Sequence, residues 1–82
     1  MSQVPIPIEE YFRYHPPIPG SDRVRKYDRI NALALEFAKA IDTEIEDEVT
    51  KQYAIFAVQQ ARMFANQGAT VDEIRQNIEK GN

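Results

Sequence analysis

Residues 21–42 read SDRVRKYDRINALALEFAKAID, and this stretch decides the fold. Apolar residues recur in it at alternating steps of three and four, which places one continuous stripe on one face of a helix. The members of this stripe are Tyr27, Ile30, Ala34, Phe37 and Ile41. Ser21 is typical of a helix N-cap, and Asp22 suits the first turn of a helix. The spacing therefore predicts a helix over residues 22–42.

A second helix is expected over residues 44–67. Thr43 and Glu46 lie three residues apart and match the capping-box pattern that satisfies free N–H groups at a helix start. The apolar arc that follows is wider than one partner helix covers, because a face of alanines lies beside the larger side chains. These alanines are Ala54, Ala57, Ala61 and Ala65. They either let another backbone come close or reflect only the high helix propensity of alanine.

A short third helix is expected over residues 70–79. Gly68 follows the periodic run directly and is a typical helix stop. Thr70 and Glu73 repeat the capping-box pattern, and apolar residues then line one side. No segment alternates apolar and polar residues over a convincing length, so the sequence predicts an all-α chain.

An irregular N-terminal arm is expected over residues 1–20. All five prolines lie in this segment, and each fixes its own φ and biases the preceding residue towards extended geometry. Only about one helical turn fits between Pro7 and Pro16. Three of the eight aromatic residues fall at positions 11–14, and we expect this cluster to pack on something or to bind something.

The chain is short enough that its own core is marginal, and the sequence predicts a single helical domain over residues 1–82. It has no cysteine and one histidine, which excludes disulfides, thiolate metal sites and a histidine cage. Self-association is the remaining common remedy. We therefore expect an antiparallel two-helix hairpin, with a proline-rich N-terminal arm and a short C-terminal helix, assembled as a homo-oligomeric helical bundle.

Two features bear on location. No run of apolar residues is long enough to cross a bilayer, so no membrane partner is expected. The N-terminal residues lack both the basic head and the long apolar stretch of a secretory signal. Both features fit a cytoplasmic protein, and we expect that location.

Charge is unevenly distributed along the chain. The net charge is −3, which disfavours binding to duplex nucleic acid. Residues 13–29 hold five cations and two acids, a net charge of +3, whereas residues 36–48 hold one cation and six acids, a net charge of −5. A local basic zone on an acidic chain suits a small anionic ligand, although a solvated helix face beside an acidic loop explains the pattern equally well.

Catalytic groups are scarce in this sequence. Ser21 looks like a helix cap, and His15 is the only side chain that could serve it as an imidazole base. His15 precedes two prolines, so a role in packing the turn is the favoured interpretation. No glycine-rich phosphate loop or calcium loop is present. We expect a protein that is not an enzyme and needs no metal or cofactor.

Residues that could bind a ligand are more abundant than catalytic groups. Cations crowd the first two turns of the first long helix, where free N–H groups and the helix dipole also attract anions. These cations are Arg23, Arg25, Lys26 and Arg29. Just upstream, Tyr11, Phe12 and Tyr14 offer flat faces on which a nucleobase can stack. The alternative is that these aromatic residues pack the arm while the cations face water.

Three motifs resemble a family of small phage proteins that includes the anti-CBASS sponges. They are His-Pro-Pro at residues 15–17, RKYDRI at residues 25–30, and ARMFAN at residues 61–66, where the family usually has tryptophan in place of Phe64. The sponges bind cyclic oligonucleotide messengers made by bacterial cGAS-like enzymes. Sequestering the messenger keeps the effector of the defence system inactive.

The resemblance implies a homohexamer in the cytoplasm of the bacterial host, with cyclic dinucleotides held between protomers. Matched by position, Tyr11 corresponds to the aromatic residue that stacks on a base and Lys26 to the basic residue that meets the phosphates. Tyr14, Arg25 and Arg29 complete the expected ligand-binding set. Some members of the family hold cyclic trinucleotides at a separate site.

A different class of function also fits the sequence. The acidic segment 42–48 and the wide apolar arc of the second helix could form a contact surface for another protein. The chain would then be a phage helical protein-interaction module that inhibits a host protein directly. This alternative predicts a stable complex with that protein and no small-molecule ligand.

Overall fold

The structure is a computed structural model that describes residues 3–81. The ends of the expected arm and domain, Met1, Ser2 and Asn82, lie outside the described residues. Within the described range the chain forms three helices, α1 (Ile8–Phe12), α2 (Asp22–Glu44) and α3 (Glu48–Gly81), and no strand. The all-α prediction is confirmed for this part of the chain.

Helix α1 is the single turn that the proline spacing allows. It begins after Pro7, with Glu9 and Glu10 in its first turn, where acidic side chains favour the helix dipole. It ends at Phe12 because Arg13 is already extended. The backbone N–H of Glu10 donates to the Pro7 carbonyl at 3.0 Å, which closes the turn.

Helix α2 begins where the sequence predicts. Gly20 has a φ of 79°, a left-handed conformation that glycine adopts without strain, and this turns the arm towards the helix. The Ser21 hydroxyl then accepts a hydrogen bond from the Val24 backbone N–H at 3.3 Å, which confirms the predicted N-cap. The helix continues two residues past the predicted end, to Glu44.

Helix α3 begins four residues later than predicted, at Glu48. The capping box proposed for Thr43 and Glu46 is wrong, because Thr43 still belongs to the last turn of α2. Asp47 caps the helix instead. Its carboxylate accepts hydrogen bonds from the backbone N–H of Thr50 at 2.9 Å and from the Thr50 hydroxyl at 2.6 Å.

The predicted break at Gly68 and the separate short helix over 70–79 are also wrong, because α3 is continuous across both. Gly68 costs the helix about 1 kcal/mol relative to alanine. Packing offsets this cost, since Ala69 and Ile74 on either side of Thr70 are the two buried apolar residues of the described chain. The Thr70 hydroxyl donates to the Asn66 carbonyl at 3.3 Å, as a residue inside a helix does, and does not cap a new one.

Helices α2 and α3 form an antiparallel hairpin. Side-chain contacts between them run in opposite residue order along the two helices. The contacting pairs are Lys26 with Asp72, Asn31 with Asn66, and Asp42 with Lys51. The molecule measures 53 × 27 × 26 Å, and its radius of gyration is 16.2 Å, against about 12 Å for a compact domain of this length. The hairpin is therefore elongated, with little interior.

The apolar faces of the hairpin lie open. Large apolar side chains in the described chain are more than half exposed along both helices. Examples are Phe37, Tyr53, Phe56, Met63 and Phe64. An apolar groove of about 530 Å³ runs between the helices, and its walls include Leu33, Phe37 and Ala57. In residues 3–81 no helix is long and apolar enough to span a membrane.

Candidate functional site

Two arginines hold the N-terminal arm against the hairpin. The Nε of Arg75, from α3, donates to the Val4 carbonyl at 2.9 Å. The Nη2 of Arg23, from α2, donates to the Pro16 carbonyl at 2.5 Å. The aromatic cluster at residues 11–14 lies on the chain between these two anchors. These two charge-assisted hydrogen bonds to backbone carbonyls fix the path of the arm at Val4 and Pro16.

Arg23 is a structural residue. Its side chain is 1% exposed, lies 3.4 Å from a carboxylate oxygen of Glu73, and stacks over the ring of Tyr27 at 5.7 Å from the ring centre. The hydroxyl of Tyr27 in turn forms a hydrogen bond with Thr70. Of the four cations that the sequence places at the start of α2, Arg23 is therefore too buried to contact a ligand.

The aromatic side chains of the arm face outwards. Tyr11 is 49% exposed, Phe12 85% and Tyr14 79%. These three rings thus present flat apolar faces to their surroundings, as a stacking platform for a base requires. This arrangement disfavours the alternative in which these rings only pack the arm.

Lys26 is the best-defined cation of the site. Its ammonium lies 3.1 Å from a carboxylate oxygen of Asp72 on α3 and 3.3 Å from one of Asp22 on α2. The hydrogen bond to Asp72 is the main cause that raises the pKa of Lys26, and the bond to Asp22 adds to it. The side chain keeps 29% of its surface exposed, so the ammonium stays charged and reachable.

Arg25 and Arg29 extend the basic surface of α2. Two nitrogens of Arg25 contact the same carboxylate oxygen of Asp22 at 3.0 Å. These contacts, and then that of Lys26, lower the pKa of the Asp22 carboxyl. Arg29 is exposed, and its side chain makes no hydrogen bond or ion pair with any part of the chain that the structure describes.

The structure brings some of the predicted site residues together and leaves others separate. Lys26 and Arg25 meet at the shared carboxylate of Asp22. Within residues 3–81, Tyr11 and Tyr14 form no hydrogen bond or ring contact with these cations. A ligand that touched both groups would have to bridge the arm and the start of α2.

His15 closes the turn that carries α1. The Glu10 carboxylate forms an ion pair with Arg13 at 2.7 Å. The Nε2 of His15 lies 2.7 Å from the backbone carbonyl oxygen of Glu10. This contact supports the interpretation of His15 as a turn-packing residue. Ser21 is occupied as the cap of α2. In the described part of the chain no three His, Asp or Glu side chains are placed to hold a metal.

The sequence did not reveal the role of the C-terminal part of α3. Asp72, Glu73 and Arg75 contact Lys26, Arg23 and Val4, respectively. These residues therefore organise the start of α2 and the arm. Their partners lie 46 to 71 positions away along the chain, so no local pattern could identify them. Only the apolar spacing of the last helix hinted that the segment packs on something.

The fold defines a small protein built on a helical hairpin. A comparison with protein-family models matches residues 5–70 to the Acb2/Tad1 hairpin domain. This match covers most of the chain, and the chain belongs to the Acb2/Tad1 family, the anti-CBASS cyclic-oligonucleotide sponges. The family binds its ligands and is not known for catalysis. Comparisons with curated proteins and with solved structures found no significant match.

Proposed function

We propose that this chain is a phage sponge that binds cyclic di- and trinucleotide messengers and sequesters them without cleaving them. Sequestration in the cytoplasm of the infected host would keep CBASS effectors inactive. The observation that carries the proposal is the pairing of outward-facing aromatic rings on a clamped arm with a charged, reachable Lys26 on α2. All of these residues lie within the segment that matches the family.

The proposed site combines stacking with phosphate recognition. Tyr11 stacks on a base, an interaction worth about 1–3 kcal/mol, and Tyr14 offers a second face. Lys26 meets a phosphate as a point charge, while Arg25 and Arg29 add bidentate donors. The N-terminal arm is already held at Val4 and Pro16, so less ordering entropy is lost on binding.

We further propose that the chain assembles as a homohexamer and that ligands bind between protomers. The support is the open apolar groove between α2 and α3, together with a described core of only two buried apolar residues. A second copy would cover the groove and supply the missing core. A ligand held between copies would also be shielded from solvent, which strengthens its polar contacts.

Isothermal titration tests the proposal. The titrants are 3′,3′- and 2′,3′-cyclic dinucleotides and a cyclic triadenylate, and chromatography of the denatured complex then shows whether the ligand is intact. We expect submicromolar binding with full recovery. Lack of binding to every member of the panel would contradict the sponge function and favour direct inhibition of a host protein.

Two substitutions test the roles proposed for Tyr11 and Lys26 in ligand binding. Tyr11→Ala and Lys26→Ala should each weaken binding at least about tenfold, the ratio that corresponds to one lost stacking or charged contact. Tyr11→Phe keeps the ring and should bind as the parent does. Lys39→Ala removes an exposed cation further along α2 and should leave binding unchanged. If a folded Tyr11→Ala or Lys26→Ala variant binds like the parent, that residue has no role in the site.

A further inference from the structure

Asp72 reaches the proposed phosphate-binding lysine from the far end of the chain. The Nζ of Lys26 donates to Oδ2 of Asp72 at 3.1 Å, across 46 residues of sequence. Asp72 lies just beyond the segment that matches the family, in the part of α3 that the sequence predicted as a separate helix. The continuity of α3 is what brings this carboxylate to the start of α2.

The carboxylates around Lys26 differ in their other partners. Asp22 is held by Arg25 as well as by Lys26, so it stays neutralised if the lysine turns to a ligand. Asp72 has Lys26 as its only ion-pair partner among the described residues. Its side chain is 50% exposed and so can be rehydrated when the lysine leaves.

A ligand phosphate and the Asp72 carboxylate would both bind the ammonium of Lys26. A lysine ammonium is a compact charge with three donors, and two carboxylates already lie within 3.3 Å of it. Lys26 and Arg25 are balanced by Asp22 and Asp72, so the centre of the basic zone is neutral in the free chain. An incoming dianion must therefore displace a carboxylate or bind beside it against charge repulsion.

We propose that Asp72 sets the affinity of the site by competing with the ligand phosphate for the Lys26 ammonium. This inference rests on the proposed function and names a residue that limits the affinity of the site for its ligand. Asp72 keeps Lys26 ordered and charged in the free protein, and it turns to solvent when a phosphate takes its place.

Substitution of Asp72 by asparagine tests the inference by titration with the tightest-binding member of the panel. Asp72→Asn removes the charge, keeps the size and can still accept a hydrogen bond from Lys26, so the hairpin should fold, as circular dichroism can check. We expect binding to tighten about fivefold, the ratio that corresponds to an exposed ion pair. The gain should shrink at high salt, where the pair is screened.

Asp28→Asn is the matched control. It removes the same charge from an exposed position on α2, two residues from Lys26, where no ion pair is described. It should change affinity less than twofold. In a Lys26→Ala background, Asp72→Asn should give no further gain, because the competition no longer exists.

Three results would overturn the inference. Equal or weaker binding by a folded Asp72→Asn chain would show that Asp72 does not compete or that it orients the lysine. An equal gain in affinity from Asp28→Asn would show that the gain comes from the loss of any nearby negative charge and not from competition for Lys26. A parent chain that binds no member of the panel would overturn the proposed function and this inference together, whereas a binding parent with an unchanged variant would overturn the inference alone.

Discussion

The two ends of the hairpin are stabilised in different ways. At the end that carries the arm, polar side chains connect elements far apart in sequence, as in the contacts of Arg75 with Val4 and of Arg23 with Pro16. This end also holds the buried apolar residues Ala69 and Ile74. Along the rest of the hairpin an apolar groove lies between the helices, and large apolar side chains such as Phe37 lie open, although Asp42 and Lys51 still form an ion pair across the helices.

The difference shows which part of the fold one chain can complete. Directed polar contacts, such as those of Arg23 with Pro16 and of Arg75 with Val4, give the arm end a defined geometry. The apolar groove has no such partner, and exposed apolar surface of this extent marks an interaction face. The arm end is therefore formed within one chain, whereas the hairpin body would be completed by other copies in the proposed assembly.

The largest expected effect comes from a charge placed in the groove. Ala57→Glu should weaken self-association about 100-fold or more, because an unpaired charge buried at an interface costs about 3 kcal/mol or more. Sedimentation velocity would follow the shift to smaller species. Gln52→Glu adds the same charge at an exposed position on the same helix and should leave the assembly intact. Equal behaviour of the two variants would contradict the role of the groove.

A smaller effect is expected at the buried arginine. Arg23→Met should lower the free energy of unfolding by about 2–3 kcal/mol, because the Pro16 carbonyl and the Glu73 carboxylate each lose a charged partner. Urea unfolding followed by circular dichroism measures this change. Arg25→Met, at a site 62% exposed, should cost less than about 1 kcal/mol. A similar loss for both would mean that burial of Arg23 does not matter.

The hydrogen bond from Arg75 to the Val4 carbonyl should matter mainly for the position of the arm. Arg75→Ala removes the donor to the Val4 carbonyl and should cost about 1–2 kcal/mol locally. Chymotrypsin should then cut the chain faster after the aromatic residues at 11–14, because local opening exposes the backbone. Lys80→Ala, in the exposed last turn of α3, should leave the cleavage rate unchanged. An unchanged rate for Arg75→Ala would show that the arm is held elsewhere.

The smallest expected effect is on the pH dependence of stability. Ion pairs lower the pKa of Asp22, and hydrogen bonds from Thr50 lower that of Asp47, both from 3.8. Their contributions are therefore complete above about pH 5 and are lost as the pH falls through the lowered values. The urea midpoint should decrease in this acidic range, and less so for Asp47→Asn. A midpoint that rises on acidification would contradict the assignment.

Local signals in the sequence predicted the helices whose ends are set locally. The start of α2 follows from Ser21 and its contact with Val24, three residues on. The start of α3 was misplaced because two capping patterns overlap, and the pattern of Asp47 with Thr50 prevails over that of Thr43 with Glu46. Both patterns are chemically sound, and only the length of α2 decides between them.

Long-range contacts explain what the sequence could not predict. Gly68 is a good helix stop by itself, but packing of the next turns against α2 and the arm keeps the helix continuous. Arg23 and Lys26 belong to the same basic run, and their residue types alone do not show how each is used. The structure separates them, since Arg23 is buried against Glu73 and Lys26 stays reachable beside Asp72.

Sedimentation equilibrium of the unmodified chain at micromolar concentration tests most directly whether further copies complete the hairpin. We expect a single assembled species, six copies by the proposed stoichiometry, with its helical circular dichroism signal intact. Dilution should lead to loss of helicity together with dissociation, because one chain lacks a sufficient core. A stable, fully helical monomer at all concentrations would contradict this view and leave the apolar groove without an explanation.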